Sequence, residues 1–249
     1  MDKLSWHDLS WCLRRAPQPV LKLMKDHPGQ LIAAGGFIRD CISNEKVNDI
    51  DLFVTDKDRA KLFAQSLAGE NKVHETDNAY TVRSGLKPTP QVIHRWTFTD
   101  AAALVDSFDF TVAKAAFWWE REDAVNCLTP DPAIAARGRW RSACHPDFYA
   151  DLAARRLVYV SPVREEEPGG SLLRILKFYQ RGYRIPLDSL GAVLARLVVK
   201  VDHDRVPRER GLEAGWAQVL TGLLREVDPD IDPTHAAHLP SLTEDEPSA

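Results

Sequence analysis

The chain has 249 residues, 44% apolar and 27% charged, with a formal net charge of −4. That composition excludes a disordered or fibrous protein and fits one large or two small globular domains. It does not favour broad, charge-driven nucleic-acid binding, while leaving room for a local basic face.

No apolar run approaches the ~18 residues that span a bilayer, and the first residues carry no signal-like apolar stretch. A cytoplasmic protein with no membrane partner is the expectation. The four cysteines at 12, 41, 127 and 144 form no C-x-x-C pair, so buried, reduced thiols are expected and a zinc site is not.

In chain order, Ser5 caps a first helix running to about Arg15, where Pro17 stops it. A short second helix ends near His27-Pro28-Gly29. QLIAA reads as a buried strand, FIRDCIS as a short helix after Gly35-Gly36, and DIDLFVT as a strand. DKDRAKLFAQSLAG is a helix ending on glycine. KVHET, AYTVRS and PQVIHRW are strand candidates, and DAAALVDS a helix. The end of the apolar run FDFTVAKAAFWW is expected to pair with AVNCL across the charged turn 120–123. From Pro130 onward a helical pattern is expected, apart from a short strand at RRLVYV. REEEPGG is the candidate hinge, and SLLRILKFYQRGYRI the basic helix after it. Helices continue to about 227 with a break near Val206-Pro207, then a proline-rich acidic tail.

Side chains alternate along a strand, so Asp49 and Asp51 project from one face and Ile50 and Leu52 from the other. Two like charges on one face repel, and leaving them partly buried is costly. A hard divalent cation is the usual remedy, and Mg²⁺ favours one or two carboxylates plus phosphate oxygens. The preceding Gly35-Gly36 lets backbone approach a phosphate closely. Arg39 stands one turn on, either toward a triphosphate or paired with Asp40. Arg174, Lys177, Arg181 and Arg184 have i+3 and i+4 spacings that would line one helical face, either a solvated one or one that contacts phosphates of a nucleotide or an acceptor. His94 is expected as a satisfied, partly buried histidine, and Phe117, Trp118 and Trp119 as core. Arg137-Gly138-Arg139-Trp140-Arg141 is expected as a surface loop with one anchoring tryptophan.

GGFIRDCISNEKVNDIDLFV resembles the G-G-x-V-R-D…D-x-D-L signature of the head domain of tRNA nucleotidyltransferases and bacterial poly(A) polymerases, in the DNA polymerase β nucleotidyltransferase superfamily. FDFTVAKAAF, FYADLAARRLVYV and EEEPGGSLLRILKFYQRGYRI resemble later head and neck segments, in the same order. The resemblance covers roughly residues 30 to 185. Two arginines of the family pattern are here Ser107 and Phe108, and the neck's E-D-x-x-R is not recognisable. The chain is also shorter than a full CCA-adding enzyme, and CCA addition is not assigned.

What the resemblance implies is an α+β fold, a polymerase-β-like mixed sheet with flanking helices over 1–160, a helical neck-like domain over 161–227 and a flexible tail over 228–249. It implies transfer of a nucleoside monophosphate from an NTP, ATP included, to a hydroxyl acceptor such as a tRNA or other RNA 3′ end, with release of pyrophosphate. Two Mg²⁺ ions would be held by Asp49, Asp51 and Asp109, with Gly35, Gly36, Arg39, Arg174 and Lys177 on the nucleotide. Asp106 is the alternative third carboxylate, and Asp109 also fits a sugar contact. Competing readings on this scaffold are a toxin-like enzyme modifying a protein or small molecule, and a non-catalytic nucleotide- or RNA-binding module.

Overall fold

The computed structural model describes residues 1–121, 138–162, 168–199, 206–208 and 211–227. Two compact units are distinguished, Met1–Arg164 with Gly182–Ser189, and Glu165–Arg181 with Leu190–Ala249.

The first unit opens with α1 (Trp6–Arg15) and α2 (Gln18–Asp26). The Ser5 hydroxyl accepts the Asp8 N–H and so caps α1. Next come β1 (Leu31–Ala34), α3 (Gly36–Ile42), β2 (Asp49–Val54) and α4 (Lys57–Ala68). Helix α4 starts on the Asp56 cap and ends at Gly69, whose φ of 59° closes it cheaply. Strands β3 (Val73–Glu75), β4 (Ala79–Val82) and β5 (Thr89–Ile93) precede α5 (Ala101–Ser107). A 3₁₀ turn at Thr111–Ala113 leads into β6 (Ala115–Arg121), followed by β7 (Gly138–Cys144) and α6 (Phe148–Ala153).

The seven strands form one mixed sheet in the order β3-β4-β5-β2-β1-β6-β7. Only the β2–β5 pair is parallel, because α4, β3 and β4 carry the chain across before β5 returns beside β2. One face buries Ile50 and Leu52 of β2 at 0% exposure and Phe117 of β6, with Phe37 of α3 against the Phe117 ring. The other face carries Ile32, Ala34, Phe53, Ile93, Ala116 and Ala143, packed by Ala101, Leu104 and Val105 of α5. Asp49 and Asp51 belong to this second face, since strand alternation sets them with Phe53.

Two expectations need correction. The segment 138–144 is a strand, not a surface loop or helix, and it pairs with β6 on the side away from β1. Its charged, glycine-containing sequence hides that, because the pairing rests on cross-strand contacts. Trp119 and Trp140 meet edge to face at 5.1 Å, and the Arg141 guanidinium donates to Glu120 Oε2 at 2.6 Å. RRLVYV forms isolated bridges, Arg156 to Arg184 and Phe110 to Tyr159, and no strand. Its backbone donors go instead to scattered carbonyls, Leu157 N–H to Arg184 O and Val160 N–H to Asp109 O. AVNCL, Arg137, Cys127, the first residues of REEEPGG and the acidic tail lie outside the described residues.

His94 is buried with Nε2 3.0 Å from the Thr76 carbonyl, and Cys12, Cys41 and Cys144 are buried free thiols. In the second unit, α7 (Pro168–Gln180) packs on α9 (Leu212–Val227), while α8 (Leu187–Val199), which belongs to this unit from Leu190 on, buries Val193 and Leu197. Gly182, at φ 83°, follows α7 and gives the basic helix its stop. No helix among the described residues is long and apolar enough to cross a membrane.

Candidate active site

Strand β1 delivers the chain to Gly35 at φ 78° and ψ −128°, a conformation that a side chain strains. The Gly35 N–H donates to Ala115 O at 2.9 Å, so the turn is tied to β6. A Cβ on Gly35 would stand 3.4 Å from the tip of the Phe108 ring, and one on Gly36 would stand 3.3 Å from Arg39 Nη2. A side chain at Gly35 would only touch the ring, so it is the positive φ that calls for glycine there, while at Gly36 the guanidinium would have to give by a few tenths of an ångström. We expect Gly35→Ala to cost about 1–2 kcal/mol through backbone strain alone. A thermal melt checks this, and an unchanged midpoint contradicts it.

Asp49 and Asp51 stand on β2 with Ala34 of β1 opposite Asp51 on one side and Gln91 of β5 on the other. Gln91 Nε2 donates to Asp49 Oδ2 at 3.3 Å. Burial pushes the Asp51 carboxyl up to about 7, and the charge of Asp49 adds to that. Asp49 is raised less, by burial and then by Asp40, while its backbone N–H and Arg39 pull it down. Arg39 is 7% exposed, with Nε donating to Asp40 Oδ1 at 2.8 Å. Its charge also lowers Asp51, so one guanidinium serves Asp40, Asp49 and Asp51.

The raised value has a consequence for stability. A carboxyl with a folded-state pKa above its unfolded value holds its proton more tightly when folded. Its favourable contribution is complete below about pH 4 and is lost as pH rises through about 7. In chelator-treated protein, Asp51→Asn is expected to stabilise by roughly 2 kcal/mol at pH 8 and by nothing near pH 4. Melts at both pH values test this. A gain that is equal at the two pH values removes burial of the charge as its cause.

Asp109 is 2% exposed and sits where Val160 N–H donates to its carbonyl at 2.7 Å. Among the described residues no three Asp, Glu, His or Cys side chains are gathered for one metal ion, so Asp109 does not join Asp49 and Asp51 in such a group. Asp106 is exposed on α5. Arg174 and Lys177 lie on α7, in the second unit.

Three neighbours escape a sequence reading. Gln91 reaches Asp49 only because β5 pairs in parallel with β2. Lys114 is buried, with Nζ donating to Val105 O at 3.2 Å and Asp106 O at 2.9 Å at the end of α5, where carbonyls lack helical donors. Asp151 is buried, accepting from the Thr111 hydroxyl at 2.6 Å and from Arg156 Nε at 2.7 Å. Only the D-L of FYADLAARR signals it.

Two carboxylates on one strand face beside a glycine turn and a buried arginine suit a hard cation and phosphate oxygens. The fold agrees with that of CCA-adding enzymes. One solved in complex with CTP superposes with a TM-score of 0.51 at 17% identity, covering 88% of this chain and 52% of that one. One solved with ATP gives 0.51 at 19% identity, covering 87% and 51%. At such identity the likeness shows the fold, a polymerase-β-like nucleotidyltransferase fold, and no more. Gabija anti-defense 2 of Bacillus phage SPbetaL7 is 27% identical over 159 residues, 63% of this chain and 34% of the relative. This chain thus spans about a third of that curated relative's length. The model of the Gabija anti-defense 2 family matches residues 9–155, more than half of the sequence and all of the strand sheet with its carboxylate pair, and the chain belongs to that family.

Proposed function

We propose that the protein transfers a nucleoside monophosphate from an NTP to a hydroxyl acceptor. The observation that carries this reading is the Asp49–Asp51 pair on one face of β2, in the field of the buried Arg39. In the transfer, the acceptor oxygen bonds to the α-phosphorus. The bond from that phosphorus to the bridging oxygen breaks, and pyrophosphate leaves. The hydroxyl proton passes to solvent. Catalysis of this kind is mainly positioning and charge neutralisation.

Asp49 and Asp51 fit Mg²⁺, taken in the proposal as two ions, which when bound would polarise the phosphoryl oxygens and the acceptor hydroxyl. The pair must be ionised for that, so below about pH 7 a bound cation has to displace the Asp51 proton. Gln91 orients Asp49, and Arg39 offsets the triphosphate charge. Asp109, buried and pinned by its backbone, is assigned to positioning of the sugar side of the site. Arg174 and Lys177, on α7, are proposed for phosphates of the nucleotide or of the acceptor.

The acceptor proposed first is an RNA 3′ end, tRNA included. Membership in an anti-defense family favours a second acceptor, a hydroxyl on a protein of the defence system. Purified protein with Mg²⁺ and each labelled NTP, incubated with cellular RNA and with lysate protein, separates the two. Label on RNA 3′ ends supports the first, and label on protein the second. Tight nucleotide binding with no label and no pyrophosphate reduces the protein to a binding module.

A further inference from the structure

The geometry points to Phe108 as the surface on which the nucleobase of the bound NTP stacks, an inference that rests on the transfer reading above. Phe108 follows α5, and the backbone on both sides of it is fixed. The Ser107 hydroxyl donates to Leu104 O at 2.7 Å, and Lys114 Nζ holds the carbonyls of Val105 and Asp106. Beyond the ring, Asp109 is buried and its carbonyl accepts the Val160 N–H. The ring itself is only partly buried.

Phe108 packs against the cluster on this face of the sheet, and two of its contacts flank Asp51. Cε1 and Cζ lie 3.4 Å from where Gly35 would carry a Cβ, and Gly35 directly follows Ala34, the cross-strand partner of Asp51. The ring also meets Phe53 at 5.8 Å and 85°, and Phe53 lies two residues along β2 on the Asp51 face. Phe98 meets the other side of this cluster, 6.0 Å from Phe53, and extends the aromatic surface. A rigidly anchored aromatic, partly exposed beside the carboxylate pair proposed to hold the metal and its triphosphate, is placed for the base that follows those phosphates. Phenylalanine offers a π-face and no hydrogen bond, so it takes every base and favours the larger purines.

Calorimetry with Mg²⁺ and three ligands, ATP, CTP and inorganic tripolyphosphate, tests this on the full chain. Wild type is expected to bind ATP more tightly than CTP, and both more tightly than tripolyphosphate. Phe108→Leu is expected to weaken ATP about tenfold and leave tripolyphosphate unchanged. Phe108→Tyr and Phe108→Trp keep the π-face and should hold ATP within about threefold of wild type. Intact tripolyphosphate binding shows that the variant is folded. Unchanged ATP affinity in Phe108→Leu overturns the stacking assignment and leaves the transfer reading standing. Loss of ATP and tripolyphosphate together gives the ring a structural role and overturns it as well. A wild-type protein that binds no nucleotide overturns both.

Discussion

Replacing Asp49 and Asp51 together by asparagine is expected to lower the proposed transfer by about a thousandfold or more. On the proposed reading, each carboxylate would contribute charge at the point where the metal and the triphosphate meet. Losing that stabilisation amounts to several kcal/mol, and each ~1.4 kcal/mol is a factor of ten in rate. The variant should not unfold. Asp51 carries a burial cost that Asn does not, and removing two like charges from one strand face relieves their repulsion. The diagnostic result is therefore a protein at least as stable as wild type above pH 7, with pyrophosphate release at background. A double variant that keeps more than a tenth of wild-type release would remove the carboxylate pair from the chemistry.

The second large effect concerns the sheet that carries the pair. Phe117 is fully buried at the middle of β6, opposite Ala33 of β1 and Ser142 of β7. Its ring meets Phe37 at 6.1 Å and Trp140 at 5.9 Å. Phe117→Ala loses the transfer free energy of the ring and leaves a cavity that strands on both sides cannot close. The expected cost is about 3–5 kcal/mol. For a chain of this size that lowers the melting midpoint by about 10 °C. The same strand holds the glycine turn through Ala115 O, so nucleotide affinity should fall together with the folded fraction. This differs from Phe108→Leu, where affinity for the base falls while the fold stays. A Phe117→Ala melt within 3 °C of wild type would show a core that repacks freely.

The local elements were legible wherever neighbouring residues decide them. The Ser5 cap, the glycine stop after Ala68 and the alternation of DIDLFV need only a few consecutive residues, and each is found in its expected place. The polymerase-β-like class was implied by the resemblance of the same segment to a family signature, whose glycines, Arg39 and two aspartates here fall within twenty residues. Strand β7 was not legible, because a chain reading G-R-W-R becomes a strand only when Glu120, Trp119 and Trp118 line up against it. The position of Asp109 was not legible either. A motif fixes its distance along the chain, while Val160 and the end of α5 set its place in space.

By itself, the sequence determined that Asp49 and Asp51 share one face, since a strand's side-chain period of two is a covalent property of an extended chain. Only the tertiary structure decided what that face is like. The parallel partner β5 brings Gln91 to Asp49, and the turn after α5 sets Phe108 on Gly35 beside Asp51. Burial on that face raises the Asp51 carboxyl to about 7. Solvation and charge depend on atoms brought close by folding, from segments forty to sixty residues away, and no local pattern carries that information.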